Sequence, residues 1–247
     1  MGSVDPDLLS DLATGLVKEF AIPCELLTPI GEPAHAFNVT RQQYSSTEIL
    51  ASLAQRKTPD TWRLLAVTSL DLYIPILTFV FGEAQMGGSS AVVSLHRMRE
   101  EYYGLPPNIL LLRERLLKEC IHELGHTLNL SHCEDYQCAM SRSHGVEWID
   151  LKNASFCRAC HAAIPTRDAL KLQSQPLPVT RCSTVRPSGS VAAASGRVQS
   201  RTRAPAAATV SSGTVWVTVP ADATTDLASP SKWPRSSSGP LSAWASP

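Results

Sequence analysis

The 247-residue sequence carries no net charge and lacks any apolar run long enough to cross a bilayer. A transmembrane helix needs roughly 20 consecutive apolar residues, so no membrane span is expected. The opening stretch, MGSVDPDLLSDLATGL, has no basic segment followed by an apolar core, which argues against a secretory signal. We therefore expect a soluble cytoplasmic or nuclear protein, whose seven cysteines are thiols or metal ligands and not disulfides.

The neutral total hides two regions of opposite charge. Residues 165–247 contain nine Lys or Arg and three Asp or Glu, whereas residues 1–164 contain thirteen basic and nineteen acidic residues. Charges of this size favour neither a nucleic-acid-binding nor a membrane-binding protein. The acidic body disfavours a specific nucleic-acid partner in particular.

Helical and strand patterns alternate along residues 1–164. Helical spacing of apolar residues predicts helices at 7–20 and 45–55, the second opening with a Ser-Ser-Thr-Glu capping signal. Runs rich in strand formers are IPCELLTPI, WRLLAVTSLDLY and AVVSLHRM. The longest helical pattern, NILLLRERLLKECIHELGHTL, places Leu117, Ile121, Leu124 and Leu128 in one buried stripe. This order predicts an α/β domain that ends near Ile164.

The composition changes after that point. Residues 165–247 mix Pro, Ser, Ala, Thr and Gly without a sustained period. Such a segment buries too little apolar surface to offset the entropy of ordering, so a disordered tail is predicted. Its one strand-like island, TVWVTV at 214–219, is either a stray hydrophobic segment or a docking strand, and we favour the first interpretation.

Residues 122–132, HELGHTLNLSH, combine three histidines with a glutamate. On a helix, His122 and His126 lie one turn apart on the same side, so both imidazoles can reach one zinc ion. Glu123 beside them can reach a metal-bound water without being a ligand, which is the general-base position of a metallopeptidase. A chance match on an amphipathic helix is the alternative, and a third histidine at the metal spacing argues against it.

His132 can join this site only if the helix ends before it. On a continuous helix, ten residues would move it roughly 15 Å along the axis from His122. A helix that stops and folds back usually has Gly, or sometimes Asn, in the left-handed conformation. We therefore predict a positive φ for Asn129. Three neutral histidines leave one tetrahedral position open for water, as in a catalytic zinc site.

Four cysteines form a separate pattern. Cys133 and Cys138 are followed, after 18 residues, by Cys157 and Cys160. This C-x4-C and C-x2-C arrangement is typical of a closed, all-cysteine zinc site. Reduced free thiols and a redox CxxC pair are the alternatives, although no thioredoxin-like unit is evident. Cys120 lies on the opposite side of the helix from His122, so we expect it in the core.

HELGHTLNLSH, its continuation CEDYQCAM and the later FCRAC together resemble the archaemetzincins. That family has H-E-x-x-H-x-x-G-x-x-H, then C-x4-C-x-M and then CxxC about 17 residues later. The resemblance extends upstream through VTSLDLYIPILTFVFGEA and covers roughly residues 5–164. Two positions depart from the pattern, because Asn129 replaces the family glycine and only 16 residues separate Met140 from Cys157.

The resemblance implies a single compact metzincin-like zincin domain, with a mixed twisted sheet, backing helices and an active-site helix. It implies two zinc ions in each chain. The catalytic zinc would be bound by His122, His126 and His132, with Glu123 as general base, and the structural zinc by Cys133, Cys138, Cys157 and Cys160. Met140 would form an apolar floor under the catalytic metal, and AVVSLHRM would be the edge strand that pairs with extended substrate.

The resulting hypothesis is a zinc-dependent metallopeptidase that hydrolyses peptide bonds through a zinc-bound water activated by Glu123. Its partner is a peptide or protein substrate, and a monomer is expected. Tyr102 and Tyr103 are candidates for stabilising the oxyanion. One alternative is a catalytically weak or inactive zinc-stabilised protein that binds peptides, although Glu123 argues against it. Another is a nucleic-acid-binding cysteine module, which the acidic body disfavours.

Overall fold

The computed structural model describes residues 4–58 and 61–164, together with the backbone of residues 214–220. Five α-helices lie in the described residues: α1 (Pro6–Phe20), α2 (Ser46–Ala54), α3 (Ile109–Thr127), α4 (Val146–Leu151) and α5 (Arg158–Ala162). The strands are β1 (Glu25–Ile30), β2 (Phe37–Asn38), β3 (Gln43–Ser45), β4 (Thr61–Thr68), β5 (Leu72–Tyr73), β6 (Gly82–Ala84), β7 (Ser90–Ser94) and β8 (Thr214–Pro220). The predicted α/β class is confirmed.

The main sheet is mixed and has the order β1-β8-β4-β7-β6. β4 and β7 are parallel, whereas β8 is antiparallel to both of its neighbours and β6 is antiparallel to β7. A smaller sheet has the order β2-β3-β5. Helices pack on both faces of the main sheet, with α1 and α3 in one apolar cluster and α2 in the other.

The prediction that AVVSLHRM forms the edge strand is wrong. β7 lies between β4 and β6, and all five of its residues are buried. A continuous run of buried residues is the pattern of an interior strand with neighbours on both sides, not of an edge. Among the described strands, the sheet ends at β1 on one side and at β6 on the other. β6 comes from the FGEA segment, lies next to β7 and has three partly exposed residues.

The interpretation of residues 214–219 as a stray segment is also wrong. β8 lies between β1 and β4. Val217 of β8 is paired with Leu26 of β1 on one side and with Leu65 of β4 on the other. The docking-strand alternative therefore describes the observed pairing. The disorder predicted for the remainder of residues 165–247 falls outside the described residues, and a domain boundary near Ile164 stays a prediction.

The helix that carries the histidines buries most of the predicted stripe. Ile121, Leu124 and Leu128 are buried, whereas Leu117 is only partly buried and packs against the same cluster. Cys120 has no exposed surface and belongs to this cluster, as expected. At its start, the Asn108 side chain accepts a hydrogen bond from the N–H of Leu111 at 3.1 Å. Ser45 caps α2 in the same way, by accepting from Glu48 as the capping signal predicted.

Two buried arginines fix α3 relative to its neighbours. Arg115 donates to both carboxylate oxygens of Asp150 on α4 at 2.7 Å and to the carboxylate of Glu100 at 2.6 Å. Arg63 on β4 donates to the hydroxyl and carbonyl oxygens of Thr127, the last residue of α3. These bonds hold the first half and the last residue of α3 against the later chain and the sheet. Within the described part of the chain, no helix could span a membrane.

Candidate metal centre and active site

The metal helix ends with the chain reversal that the sequence predicts. Asn129 has a φ of 67°, and its N–H donates to the carbonyl of His126 at 2.9 Å. The N–H of Leu130 donates to the carbonyl of Gly125 at 3.1 Å. These two bonds and the left-handed residue form a Schellman motif. The prediction for Asn129 is confirmed, and the reversal returns the chain towards His122 and His126.

His122, His126 and His132 converge, with one ring nitrogen of each within 4.8 Å of the others. The Nε2 atoms of His122 and His126 are 3.1 Å apart. Nδ1 of His122 lies 2.7 Å from the carbonyl oxygen of Ala139, and Nδ1 of His126 lies 2.8 Å from that of Leu130. A carbonyl oxygen can only accept, so each Nδ1 must carry the proton and each Nε2 is free to bind a cation.

The surroundings of the three imidazoles favour their neutral form. Burial lowers the pKa of His122 well below its usual value, with Lys152 and the other two histidines acting in the same direction. Burial also lowers the pKa of His126, and burial with the neighbouring His126 lowers the pKa of His132 to about 4. All three are therefore unprotonated at neutral pH, which is the state in which imidazole binds a metal. This donor set fits a zinc ion with one open position.

Glu123 lies beside these rings and is only 5% exposed. Burial raises the pKa of its carboxyl well above the usual value, the charges of Glu119 and Glu83 raise it further, and Lys152 opposes the shift. A bound cation would oppose it as well. The raised pKa makes this carboxylate a stronger base, which suits a group that accepts a proton and later passes it on.

A buried ion pair lies next to this carboxylate. Lys152 Nζ is 3.8 Å from Glu119 Oε2, with the two side chains 0% and 4% exposed. One oxygen of Glu119 lies within 4.8 Å of ligand atoms of both His122 and Glu123. Neither residue of the pair was predicted for the site. Glu119 could have been found, since it precedes Glu123 by one helical turn, whereas nothing local in the sequence marks Lys152.

A cleft of about 660 Å³ opens over the histidines and Glu123. One wall is formed by residues 77–84 and 86, which include β6, and the other wall is α3. Arg142, Ser143 and His144 line it beyond the metal helix. Neither Tyr102 nor Tyr103 is among its lining residues, and the Tyr103 hydroxyl donates to the carbonyl of Arg97 at 2.9 Å. The structure thus gives no support to an oxyanion role for the two tyrosines.

Met140 packs directly against the metal helix and has no exposed surface. A Cβ placed on Gly125 would lie 2.3 Å from the Met140 sulfur, closer than any real contact. The lack of a side chain at Gly125 therefore lets the methionine pack against the helix that carries His122 and His126. This position agrees with the apolar floor that the resemblance implies.

The four cysteines form a second cluster, with their sulfur atoms all within 4.8 Å of one another. The N–H of Cys157 donates to Cys138 Sγ at 3.2 Å, and the N–H of Cys160 donates to Cys157 Sγ at 3.5 Å. Burial raises the pKa of Cys157, but hydrogen bonds from Cys160 and the neighbouring thiols outweigh it and leave the pKa below its usual value. Four free thiols arranged around one point, with backbone donors to sulfur, fit a closed zinc site.

One segment links the two clusters. It begins at Cys133 and ends at Met140, and the N–H of Cys133 donates to the carbonyl of Met140 at 2.9 Å. Cys138 belongs to the cysteine cluster, while the carbonyl of the next residue, Ala139, orients His122. The cysteine cluster therefore fixes a segment that supports the histidine cluster.

Comparison with known proteins places the chain in a family. The sequence model of Peptidase family M54 matches residues 9–166. Archaemetzincin from Methanocaldococcus jannaschii is 43% identical over 160 residues, which are 65% of this chain and 87% of that protein. Archaemetzincin from Archaeoglobus fulgidus is 38% identical over 162 residues, which are 66% and 94% of the two chains.

Solved structures agree with the sequence relatives. The crystal structure of archaemetzincin from Archaeoglobus fulgidus, complexed with malonate, has a TM-score of 0.57 at 37% identity and covers 66% of this chain and 96% of that one. The structure of archaemetzincin from Methanopyrus kandleri has a TM-score of 0.55 at 31% identity, covering 70% and 90%. The chain therefore belongs to peptidase family M54, the archaemetzincins, and is a zinc metallopeptidase.

Proposed function

We propose that the histidine cluster holds the catalytic zinc and that Glu123 is the general base in peptide-bond hydrolysis. The observation that carries this proposal is the convergence of three histidine nitrogens beside a buried carboxylate at the floor of an open cleft. A zinc ion held by three histidines would stay accessible from the cleft, so that water and the scissile carbonyl could reach it.

The chain's own groups act in two steps. When bound, zinc acidifies a coordinated water and polarises the substrate carbonyl. Glu123 accepts the proton of the attacking water, and because burial raises its pKa it retains that proton. It then donates the proton to the leaving amine as the peptide bond breaks. The carbonyls of Ala139 and Leu130 keep His122 and His126 in the tautomer that faces the cation.

The substrate is an extended peptide or a segment of a protein. β6 pairs with β7 on one side, and in the described chain it is the last strand of the sheet at the cleft. Its outer backbone groups are therefore available to pair with an extended peptide, which adds a strand to the sheet. This orientation would lay the scissile bond across the floor formed by Glu123 and the histidines.

A second zinc would be bound by Cys133, Cys138, Cys157 and Cys160. Four thiolates complete a tetrahedral site and leave no position for water, so this ion would be structural. It would hold the segment that begins at Cys133 and thereby the residues that support His122. We thus propose two zinc ions per chain, one catalytic and one structural.

The alternative is a catalytically weak or inactive zinc-stabilised peptide-binding protein. Such a protein also needs an open cleft and a strand edge, but it has no use for a buried carboxylate beside the metal ligands. The position of Glu123 therefore favours the enzyme. The monomeric state and the lack of a specific nucleic-acid partner stay predictions.

The test combines metal content with a matched pair of variants. Zinc per chain is measured first, and cleavage of a peptide library is then compared for wild type, Glu123→Ala and Glu114→Ala. Glu114 is an exposed glutamate on the same helix, so its variant controls for the loss of a carboxylate from α3. We expect two zinc ions, full activity in Glu114→Ala and a loss of at least about 100-fold in Glu123→Ala.

The outcomes separate the two functions. Cleavage that persists in Glu123→Ala would exclude this residue as the base. Zinc binding and peptide affinity without cleavage by wild type would favour the binding protein. A single zinc per chain would contradict the assignment of one of the two clusters.

A further inference from the structure

The edge strand β6 lies close to Glu123 at its first residue, Gly82. A Cβ placed on Gly82 would lie 2.7 Å from both Cγ and Oε1 of Glu123. Two carbon atoms at van der Waals contact are about 3.5–4.0 Å apart. The Glu123 side chain therefore occupies the space that any side chain at position 82 would need.

The backbone of Gly82 does not itself require glycine. The described glycines with positive φ are Gly87 and Gly104, so Gly82 has a conformation that other residues adopt without strain. Glycine in a strand is otherwise unfavourable, because it packs poorly and loses more entropy on folding. The lack of space beside Glu123 is thus one physical reason for glycine at this position, and the nearby carbonyl oxygen of Val92 is a second.

Neither the backbone of β6 nor that of α3 can move away easily from this contact. The next residue, Glu83, accepts hydrogen bonds from the hydroxyl groups of Ser46 and Thr47 at the start of α2. On the other flank, the N–H of Ser94 donates to the carbonyl of Phe81 at 2.7 Å. Glu123 lies on α3, which Arg115 and Arg63 hold against its neighbours. Because the backbones on both sides are held, a side chain at position 82 would displace the flexible carboxylate of Glu123 more than the strand.

We propose that Gly82 is a positioning residue for the hydrolytic reaction, because its missing side chain lets the Glu123 carboxylate lie against the edge strand. This inference rests on the proposed role of Glu123. The carboxylate is thereby confined between the strand that would pair with substrate and the histidines that face the cation. Gly82 itself contacts neither the water nor the scissile bond.

The first test is the Gly82→Ala variant, with Gly31→Ala as the control. A Cβ on Gly31 would meet nothing within 4 Å, so that variant should behave as wild type. A displacement of about 1 Å in a catalytic group can lower the rate about 100-fold. We expect kcat of Gly82→Ala to fall by about that factor, while KM stays within about twofold and both zinc ions are retained. Full kcat in Gly82→Ala would overturn the proposal.

The same Cβ would also lie 2.8 Å from the carbonyl oxygen of Val92 on the neighbouring strand. That contact strains the sheet whatever residue stands at 123, so it cancels when two backgrounds are compared. Gly82→Ala should lower the melting temperature of wild type more than that of Glu123→Ala, in which the carboxylate is absent. In Glu123→Asp, whose carboxylate is one methylene shorter, it should reduce kcat less than tenfold.

If Gly82→Ala lowered the melting temperature equally in wild type and in Glu123→Ala, the Val92 contact alone would explain the loss. That result would overturn the proposal. If Gly82→Ala does not fold, the double variant Gly82→Ala, Glu123→Ala should still fold, and failure of both would overturn it too. Activity that persists in Glu123→Ala alone would instead refute the proposed base. The melting-temperature comparison would then still report whether Gly82 and Glu123 exclude each other sterically.

Discussion

The histidine and cysteine clusters are neighbours in sequence, since Cys133 directly follows His132. They differ in the hydrogen bonds that orient their side chains and in what surrounds them. The histidines are oriented by backbone carbonyls that accept from their outer nitrogens, and a buried carboxylate and an open cleft lie beside them. The cysteines receive backbone N–H bonds at their sulfurs. The number of protein ligands and the surroundings therefore decide which metal site can accept a substrate.

The cysteine cluster helps to position the histidine cluster, but the reverse does not hold in the described residues. Segment 133–140 is held by two cysteines, and it supplies the carbonyl of Ala139 to His122 and the packing of Met140 against Gly125. The histidine cluster provides no comparable bond to the sulfurs of the cysteine cluster in the described residues. Loss of the cysteine site should thus damage both sites, whereas loss of the histidine site should damage one.

The largest effect is expected for Cys138→Ser, since this cysteine is buried at the centre of the linking segment. Structural zinc contributes about 10–16 kcal/mol of binding free energy in small zinc modules. We expect the variant to lose the cysteine-bound zinc, to bind the second zinc less tightly and to unfold at a much lower temperature. Zinc content and thermal unfolding would measure this.

Cys24→Ser is the matched control, because Cys24 is partly buried but lies outside both clusters. It should retain two zinc ions and a melting temperature close to that of wild type. If Cys138→Ser kept its activity and its full affinity for the remaining zinc, the two sites would be independent. The one-way support between them would then be refuted.

A smaller effect on the fold, but a complete loss of function, is expected for His126→Ala. Two imidazoles bind zinc far more weakly than three, so the catalytic zinc should be lost at ordinary concentrations. The cysteine zinc should remain, because none of its ligands touches His126. One zinc per chain, no peptide cleavage and a modest change in melting temperature are the expected results. Loss of both zinc ions would show that support also runs from the histidines to the cysteines.

The pH dependence of the histidine site follows from the same residues. Burial lowers the pKa of His132 to about 4, and it also lowers the pKa of His122 well below its usual value. A lowered histidine pKa means that the folded protein disfavours the protonated ring. The free energy of unfolding should therefore decrease as the pH falls below about 6.5, the pKa of histidine in the unfolded chain. This direction agrees with metal release on acidification, since protonated imidazole cannot bind zinc.

The convergence of the three histidines and of the four cysteines could be predicted from sequence because these residues follow local spacing rules. Histidines four apart lie on one side of a helix, and a left-handed residue such as Asn129 returns the third to it. The order of strands depends on long-range pairing, which no local pattern encodes. For that reason β7 was misplaced at the edge and β8 was not expected between β1 and β4.

The partners around Glu123 were missed for a related reason. Lys152 follows the metal helix by more than twenty residues, and only the packing of α4 on α3 brings it to Glu119. Gly82 likewise has no motif of its own, and its importance depends on the distance from a Cβ to a residue about forty positions later. Sequence reasoning therefore found the residues of the two candidate metal clusters and missed the residues that surround Glu123.

The smallest effect is expected at Asn129, where the predicted departure from the family glycine can be measured directly. A non-glycine residue in the left-handed conformation costs roughly 1–2 kcal/mol, and Asn offsets part of this by local hydrogen bonding. Asn129→Ala should therefore lower the free energy of unfolding by about 1 kcal/mol, while Asn129→Gly should not lower it. Chemical denaturation measures both variants, and zinc content should stay at the wild-type value. A destabilisation by Gly as large as that by Ala would mean that the Asn side chain, and not the positive φ of 67°, holds the end of the helix.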